Sequence, residues 1–481
     1  MSTSEVKKTN YTALITLTSV FFFWGFVAAS NDILIPVFKQ ELHLKQWQSQ
    51  MISFAFYVAY TVGSVLYVLI SAILKKDILL KLGYKKGIAL GLLISALGTL
   101  LFIPASNLES FPIMISGLFV VGLGFSLQQT AANPLVISLG DPKKGSQRLS
   151  LTGGVNNIGS TIGPALIAMA IFGTTSVSNV SVNISSIQMP YLILGLAFIL
   201  VAIIIYFSKI PNHLESASDV KSTETTSISK TVWNYPQLYL GMIAIFLYVG
   251  VEVATAGNLG EYLKVHYGME SNKITPYVSL YWASLMIGRW TSASSIFSAK
   301  KSVQTILKFV LPYGAFGIYI LINSITKQDL SDIYYYAFVV IVLIVAESMS
   351  KGNPAKQLML FSALGVVALL IGMYTEGLTS IYAFISVGLF CSTLWPCIFT
   401  LAIAGLGNLT NKGSGYLIMM IMGGGIVSIS QGLLVDIPSV GIRYSFYTGI
   451  VCFLYLIFYA IKSSQILKNQ GVTIGEDTAG H

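Results

Sequence analysis

The chain has 481 residues, of which 54% are hydrophobic and only 10% are charged. A soluble domain cannot bury so large an apolar fraction, so the composition excludes a water-soluble protein and predicts an all-α polytopic membrane protein. The formal net charge of +9 does not indicate nucleic-acid binding, because the basic residues fall in short loops between apolar runs. The few cysteines and histidines are scattered, so no metal site, disulfide framework or cofactor is predicted.

Fourteen apolar segments are long enough, or nearly so, to cross a bilayer at about 20 residues per crossing. Their approximate limits are 12–38, 50–73, 87–104, 112–138, 147–172, 189–208, 238–263, 274–298, 303–323, 333–350, 357–374, 378–405, 414–435 and 441–462. A polar, Ser/Thr-rich stretch after the sixth segment is typical of a flexible linker. The predicted parts are an N-terminal six-helix bundle (1–208), a cytoplasmic linker (209–237), a C-terminal bundle (238–462) and a cytoplasmic tail (463–481).

The distribution of lysine and arginine predicts the orientation. If the segments alternate, 21 of the 28 basic residues lie on the side of the two termini, six lie on the opposite side, and Arg289 falls within a span. Because basic loops stay in the cytoplasm, both termini are predicted to be cytoplasmic and the number of spans even.

The first segment carries a carboxylate inside an apolar run, Phe21–Phe38, which reads FFFWGFVAASNDILIPVF. The acid is Asp32, and Asn31 lies beside it. Burying a charged Asp in a bilayer costs about 2.5–3.5 kcal/mol, so such residues usually line a cavity or a proton path. The alternative is that Asp32 lies at the membrane surface and is solvated there.

Amides recur in the fourth and fifth segments. Gln129 and Asn133 are four residues apart and therefore share a helix face, and Pro134 is expected to break that helix and free a carbonyl. Asn156 and Asn157 lie among glycines that allow close packing. The amides favour a polar cavity, although amides also join helices to one another.

The C-terminal half has its own intramembrane acid, Glu252, about halfway across the seventh segment. Further candidate ligand-binding side chains in this half are Tyr248, Trp282, Trp395 and Gln431. The aromatic side chains alternatively serve packing alone. Arg289 approaches a membrane surface, so it is predicted to snorkel or to contact a gate as readily as a substrate. Nucleotide-binding, zinc-protease and nucleophile-elbow motifs are absent from the sequence, so it does not predict an enzyme.

Several motifs in order along the chain are similar to one family. They are FFFWGF…NDILIPVFK, LGYKKG, LQQTAANP, FLYVGVE, YW…MIGR and GGGIVSISQG. Together they resemble the fucose–galactose–glucose branch of the major facilitator superfamily. The resemblance implies a major facilitator fold, with two six-helix bundles around a central sugar cavity and alternating access. The stretch of about 300–351 looks like an inserted helix pair, which accounts for fourteen segments.

The resemblance also implies roles for individual residues. The helix-one acid that serves sugar binding and proton coupling in the fucose symporter maps onto Asp32, and Glu252 resembles the glucose/galactose side of the branch. The helix-four acid of the fucose symporter maps onto Gln129, which cannot titrate. The helix-five amide maps onto Asn156, but the family's glutamine three residues earlier is Gly153 here.

The expected function is secondary active import of a hexose or 6-deoxyhexose, such as glucose, galactose or fucose, by cation symport, with Asp32 and Glu252 as proton-coupling residues. The expected co-substrate is a proton, and sodium remains an alternative, as does N-acetylglucosamine as the sugar. Alternatives of another class are an exporter of amphipathic compounds and a non-transporting nutrient receptor. The resemblance implies a monomer in the lipid bilayer of a bacterial cytoplasmic (inner) membrane.

Overall fold

The computed structural model describes residues 9–41, 46–172, 187–212, 231–269, 271–297, 300–325 and 328–472. Within these ranges the first part of the chain forms the helices α1 (Tyr11–Glu41), α2 (Gln46–Ile73), α3 (Ile78–Leu82), α4 (Tyr84–Leu100), α5 (Phe102–Asn107), α6 (Phe111–Ser138), α7 (Gly145–Phe172) and α8 (Gln188–Phe207). Most of the predicted linker lies outside the described residues.

The second part of the chain is also helical. Its helices are α9 (Pro236–Tyr267), α10 (Ser271–Ala293), α11 (Lys301–Ile325), α12 (Ala337–Ser350), α13 (Pro354–Tyr374), α14 (Gly377–Cys391), α15 (Leu394–Ile403), α16 (Thr410–Met419), α17 (Gly423–Val435), α18 (Gly441–Ser445) and α19 (Tyr447–Asn469). Two of the long apolar runs are broken, at Ser392–Thr393 between α14 and α15 and by a short 3-10 helix, Met420–Met422, between α16 and α17.

Twelve helical stretches in the described part of the chain are long and apolar enough to cross a membrane. This confirms the prediction of an all-helical, multi-pass membrane protein. The long helices α7 and α10 are not among the twelve, and both are more polar, with Asn156 and Asn157 on α7 and Arg289 on α10. The number of fourteen spans therefore stays a prediction.

The helices form two groups that face each other. In the first group α7 packs on α1, while α6 packs on α2 and α4; in the second, α9 packs on α17 and α19, and α13 packs on α14 and α19. The groups meet where α10 packs on α7 and where α16 packs on α2 and α6. A cavity opens between these two junctions.

Glycines allow the close crossing of α1 and α7. A Cβ atom at Gly25 would lie 1.9 Å from the carbonyl oxygen of Asn156, and one at Gly159 would lie 2.2 Å from the carbonyl oxygen of Phe22. Neither position tolerates a side chain, so these two glycines set the distance between the helices. The contact brings Asn156 to the wall of the cavity.

The prediction that Pro134 breaks its helix is wrong, because α6 continues through it to Ser138. The proline does remove the N–H that would pair with the carbonyl four residues earlier, that of Thr130. The hydroxyl of Ser414 on α16 donates to this carbonyl at 2.9 Å. A partner from the opposite helix group thus replaces the lost bond, as is common for proline in membrane helices.

The helices α11 and α12 contact each other as a hairpin, and none of their described residues lines the cavity. The hairpin packs on α10, and α12 also contacts α13 and α14. Large apolar side chains on its outer face are exposed, namely Ile306, Phe309, Val310, Leu321, Phe338 and Val345. Glu347 is instead buried at 4% exposure and accepts a hydrogen bond from Gln357 Nε2 at 2.5 Å.

Candidate functional site

The cavity between the two helix groups has a volume of about 260 Å³, close to the lower limit of the about 300–1,000 Å³ typical of small-molecule sites. Its polar lining residues are Tyr57, Tyr60, Gln129, Asn133, Asn156, Ser160, Tyr248, Glu252 and Arg289. Large aromatic side chains complete it, namely Phe21, Trp24, Phe56, Trp282 and Trp395. Both helix groups therefore contribute polar atoms and aromatic rings.

The described lining side chains of the wall formed by residues 9–212 are neutral and rich in amides. Gln129 Nε2 donates to the hydroxyl of Tyr60 at 3.0 Å, and Asn156 Nδ2 donates to the carbonyl oxygen of Phe21 at 2.9 Å. Asn133 is only 1% exposed, and its Nδ2 has no hydrogen-bond partner among the described residues. A buried amide donor without a partner costs about 1–3 kcal/mol, so a ligand oxygen here would be stabilised.

Gln128, next to Gln129, joins neighbouring helices and does not line the cavity. Its side chain is fully buried, accepts from Trp24 Nε1 at 2.7 Å and donates to Ser95 Oγ at 3.0 Å. Successive helix positions point about 100° apart, so one glutamine joins α1, α4 and α6 while the other reaches the cavity.

The wall formed by residues 231–472 is charged and aromatic. The Tyr248 hydroxyl donates a hydrogen bond to the Glu252 carboxylate one turn later on α9. The Tyr281 hydroxyl donates to the Glu252 backbone carbonyl at 2.9 Å. These contacts fix Glu252 at the cavity, and the indole of Trp395 lies 6.3 Å from the Tyr248 ring. An acceptor carboxylate thus lies beside aromatic faces.

Arg289 spans the junction between the two walls. Its Nη1 donates to the carbonyl of Gly153 at 3.1 Å and to Asn157 Oδ1 at 2.7 Å, both on α7. Its Nε donates to the carbonyl of Ser392 at 2.9 Å, at the break between α14 and α15. Arg289 is also near enough to Glu252 for the two charges to interact.

The structure brings most of the predicted side chains to this cavity but not all of them. Asn157 is 4% exposed and faces Arg289 rather than the cavity. Gln431 does not line the cavity: it is 2% exposed and donates to Ser445 Oγ at 3.1 Å. Asn31 and Asp32 lie on α1, but their side chains are outside the described part of the structure.

Sequence reasoning missed the contribution of α2. Tyr57 and Tyr60 line the cavity, and Tyr60 is the partner of Gln129. The available signal was their spacing of three residues, which places both hydroxyls near one helix face. Two tyrosines in an apolar segment are equally typical of packing, so the spacing alone does not identify a ligand site.

The lining can bind a ligand through hydrogen bonds and aromatic contacts. Among the residues described as lining it, no serine, threonine or cysteine lies beside a histidine base, and no metal-binding group of histidine, cysteine, aspartate and glutamate occurs in the described chain. A polar cavity between two facing groups of membrane helices defines this protein as a membrane transporter, because alternating access needs a site that both groups share.

The chain belongs to the Major Facilitator Superfamily, whose family model matches residues 12–350. It is 31% identical over 455 residues to the glucose/galactose transporter of Brucella abortus, covering 94% of each chain. It is 27% identical to the L-fucose-proton symporter of Escherichia coli, with 94% of this chain and 93% of that one covered. These relatives confirm the predicted fucose–galactose–glucose branch of the superfamily and a transporter that is not an enzyme.

The fold agrees with the family. The crystal structure of the Escherichia coli fucose:proton symporter superposes with a TM-score of 0.69 over 94% of this chain and 98% of the symporter, at 24% identity. This similarity confirms the predicted major facilitator fold.

Proposed function

We propose that this protein is a secondary active importer of a hexose or 6-deoxyhexose, driven by cation symport. The observation that carries the proposal is the cavity lining, which joins the amides of Gln129, Asn133 and Asn156 to the Glu252 carboxylate and to aromatic faces. A sugar presents many hydroxyls that need partners once they leave water, and its C–H faces pack on aromatic rings. The names of the relatives, glucose/galactose transporter and L-fucose-proton symporter, support the same class.

The test of substrate is counterflow of labelled sugars in vesicles that contain the purified protein. The panel includes glucose, galactose, fucose and N-acetylglucosamine, and each sugar is also tested as a competitor of the others. Counterflow of at least one hexose is the expected result. Counterflow of amphipathic compounds with no sugar transported would contradict the proposal and favour an exporter.

The coupling ion is proposed to be a proton carried by Asp32, the position to which the resemblance assigns coupling. Glu252 then holds sugar hydroxyls or a second proton. Asp32→Asn should abolish accumulation against a gradient while sparing exchange, because exchange needs no net proton movement. Uptake is measured with an imposed pH gradient, with and without sodium. If Asp32→Asn vesicles still concentrate sugar, the assignment fails; if only a sodium gradient drives the wild type, the ion is sodium.

The proposed arrangement in the membrane follows the charge distribution. Both termini are proposed to lie in the cytoplasm, with bundles of 1–208 and 238–462. The monomeric state and the bacterial inner membrane are proposed from the resemblance instead. The pair within about 300–351 is an insertion whose described helices line no part of the cavity. Its deletion should lower stability more than it changes sugar preference. A well-folded deletion variant with a new preference would contradict this role.

A further inference from the structure

Among the described residues that line the cavity Arg289 is the cation, and its described hydrogen-bond acceptors are all neutral. The guanidinium contacts the backbone carbonyls of Gly153 and Ser392 and the amide oxygen of Asn157. The ion pairs among the described residues involve Glu376, not Glu252. A half-buried arginine within a membrane protein is stabilised most by a hydrogen-bonded carboxylate, and none of its described hydrogen-bond acceptors is one.

Two adjacent glycines on α7 allow Arg289 to take this position. A Cβ atom at Gly153 would lie 3.1 Å from Arg289 Nη1, and one at Gly154 would lie 2.3 Å from Trp290 Cδ1. The end of α10 therefore rests directly on the backbone of α7. Any movement that separates α7 from α10 removes two of the three acceptors of Arg289 at once.

Glu252 is the charged group placed to receive Arg289 after such a movement. It lines the same cavity, it interacts electrostatically with Arg289, and its carboxylate has the Tyr248 hydroxyl as its hydrogen-bond donor. Arg289 and Glu252 both belong to the second helix group, on α10 and α9, which contact each other. Their separation is thus preserved when the two groups move apart as bodies.

We propose that Arg289 is a positioning residue whose guanidinium exchanges between Asn157 on α7 and Glu252 on α9 as the α7–α10 junction closes and opens. In the closed arrangement Glu252 is free to accept sugar hydroxyls. In the open arrangement Arg289 competes with the sugar for this carboxylate and weakens sugar binding. The inference rests on the proposed transport function. It explains how sugar is released, because Arg289 displaces it from Glu252 when the junction is open.

The opening of the junction can be measured without sugar. The substitution Ser295→Cys places a thiol for labelling at this junction. The backbone carbonyl of residue 295 accepts a hydrogen bond from Lys144 Nζ at 3.0 Å across the junction. The purified full-length protein is labelled with a maleimide, and the rate reports how often the junction opens. The native cysteines give the background and are all buried, namely Cys391, Cys397 and Cys452.

Two substitutions at Asn157 form a matched pair with opposite expected effects. Asn157→Asp should slow labelling about tenfold, since a carboxylate holds the guanidinium more strongly than an amide does. Asn157→Leu should accelerate labelling about tenfold, since the contact is lost. Adding Arg289→Gln to Asn157→Asp should remove the slowing. Equal effects of the Asp and Leu substitutions, or slowing that persists in the double variant, would overturn the proposal.

Glu252→Gln tests the other partner. It keeps the size of the side chain but removes the charge, so the open arrangement is less stable and labelling should slow about threefold. Unchanged or faster labelling would show that Arg289 does not move to Glu252. All variants are first compared by size-exclusion elution.

Sugar adds a reciprocal test. If Arg289 and sugar compete for Glu252, a saturating transported sugar should slow labelling in the wild type and have no such effect in Glu252→Gln. Faster labelling with sugar in the wild type would contradict the competition. If no sugar in the panel binds the wild type, the proposed function fails, whereas the sugar-free labelling results still decide the exchange of partners.

Discussion

The described side chains of the cavity wall from residues 9–212 and of the wall from residues 231–472 differ in charge and in how they are held. In the first, Gln129 and Asn156 are neutral and are oriented by hydrogen bonds to a tyrosine and a backbone carbonyl. In the second, Glu252 and Arg289 have an acidic and a basic side chain that form no salt bridge with each other in the described structure. Under the proposed function, the amides of the first wall serve sugar recognition, whereas Glu252 on the second wall both binds sugar and exchanges partners with Arg289.

Removing the carboxylate should have the largest effect on binding. A hydrogen bond to a charged group contributes about 1.5–3 kcal/mol, so Glu252→Gln should weaken sugar binding by about 10- to 100-fold. Calorimetric titration of the purified variant with the transported sugar measures this. An affinity equal to that of the wild type would remove Glu252 from the sugar site and leave the charged wall with an electrostatic role alone.

The two adjacent glutamines of α6 separate recognition at the cavity from stability between the helices. Gln129→Ala should weaken sugar binding about tenfold, because a sugar hydroxyl loses its partner. Gln128→Ala should spare affinity but lower the melting temperature, because the indole N–H of Trp24 and the hydroxyl of Ser95 lose a buried partner. Thermal melts and binding titrations of both variants test the contrast. If the two variants behave alike, the two glutamines do not divide these tasks.

Substitution of Asn133 should raise stability and weaken sugar binding, with a smaller change in affinity than at Glu252 or Gln129. Its Nδ2 is buried without a described partner, so Asn133→Leu removes an unpaired polar group and should raise the melting temperature of the sugar-free protein. The same change should weaken sugar binding about fivefold, since a neutral hydrogen bond contributes about 0.5–1.5 kcal/mol. A variant that is less stable and binds sugar normally would mean that Asn133 serves packing.

The smallest effect is expected for the exposed Glu376, which lies away from both walls, and it concerns the pH dependence of stability. Glu376 pairs with His266 at 2.8 Å and with Arg443 at 2.6 Å. The hydrogen bond from His266, and then that from Arg443, lowers the pKa of the Glu376 carboxyl below its ordinary value. Its contribution to stability is therefore complete above the unfolded-state pKa of about 4.3 and is lost as the pH falls through the lowered folded-state pKa.

The melting temperature of the wild type should accordingly fall slightly more than that of Glu376→Gln when the pH is lowered from about 5 to 3. Solvent and salt screen this pair, so the difference should shrink further at high ionic strength. Parallel pH dependence of the two proteins would show that the pair contributes nothing measurable. The result shows how much an exposed ion pair contributes to stability, for comparison with Glu252 and Arg289 at the cavity.

The sequence alone determined the class of the protein, because hydropathy and charge distribution are local properties. It also identified several cavity residues, including Gln129, Asn133, Asn156 and Glu252, since polar groups within apolar runs need a polar environment. The spacing of Gln129 and Asn133 placed them on one helix face, and the structure has both at the cavity.

Only the tertiary structure decided which polar side chains face the cavity and which face another helix. Gln128 and Gln431 have amides like that of Gln129, yet both pair inside the protein. The hydroxyl of Ser414, remote in sequence, replaces the bond lost at Pro134 and lets α6 continue. Arg289 reaches Asn157 because glycines on α7 leave room for it. Each outcome depends on helices distant in sequence packing together, and periodicity within one segment carries no information about its neighbours.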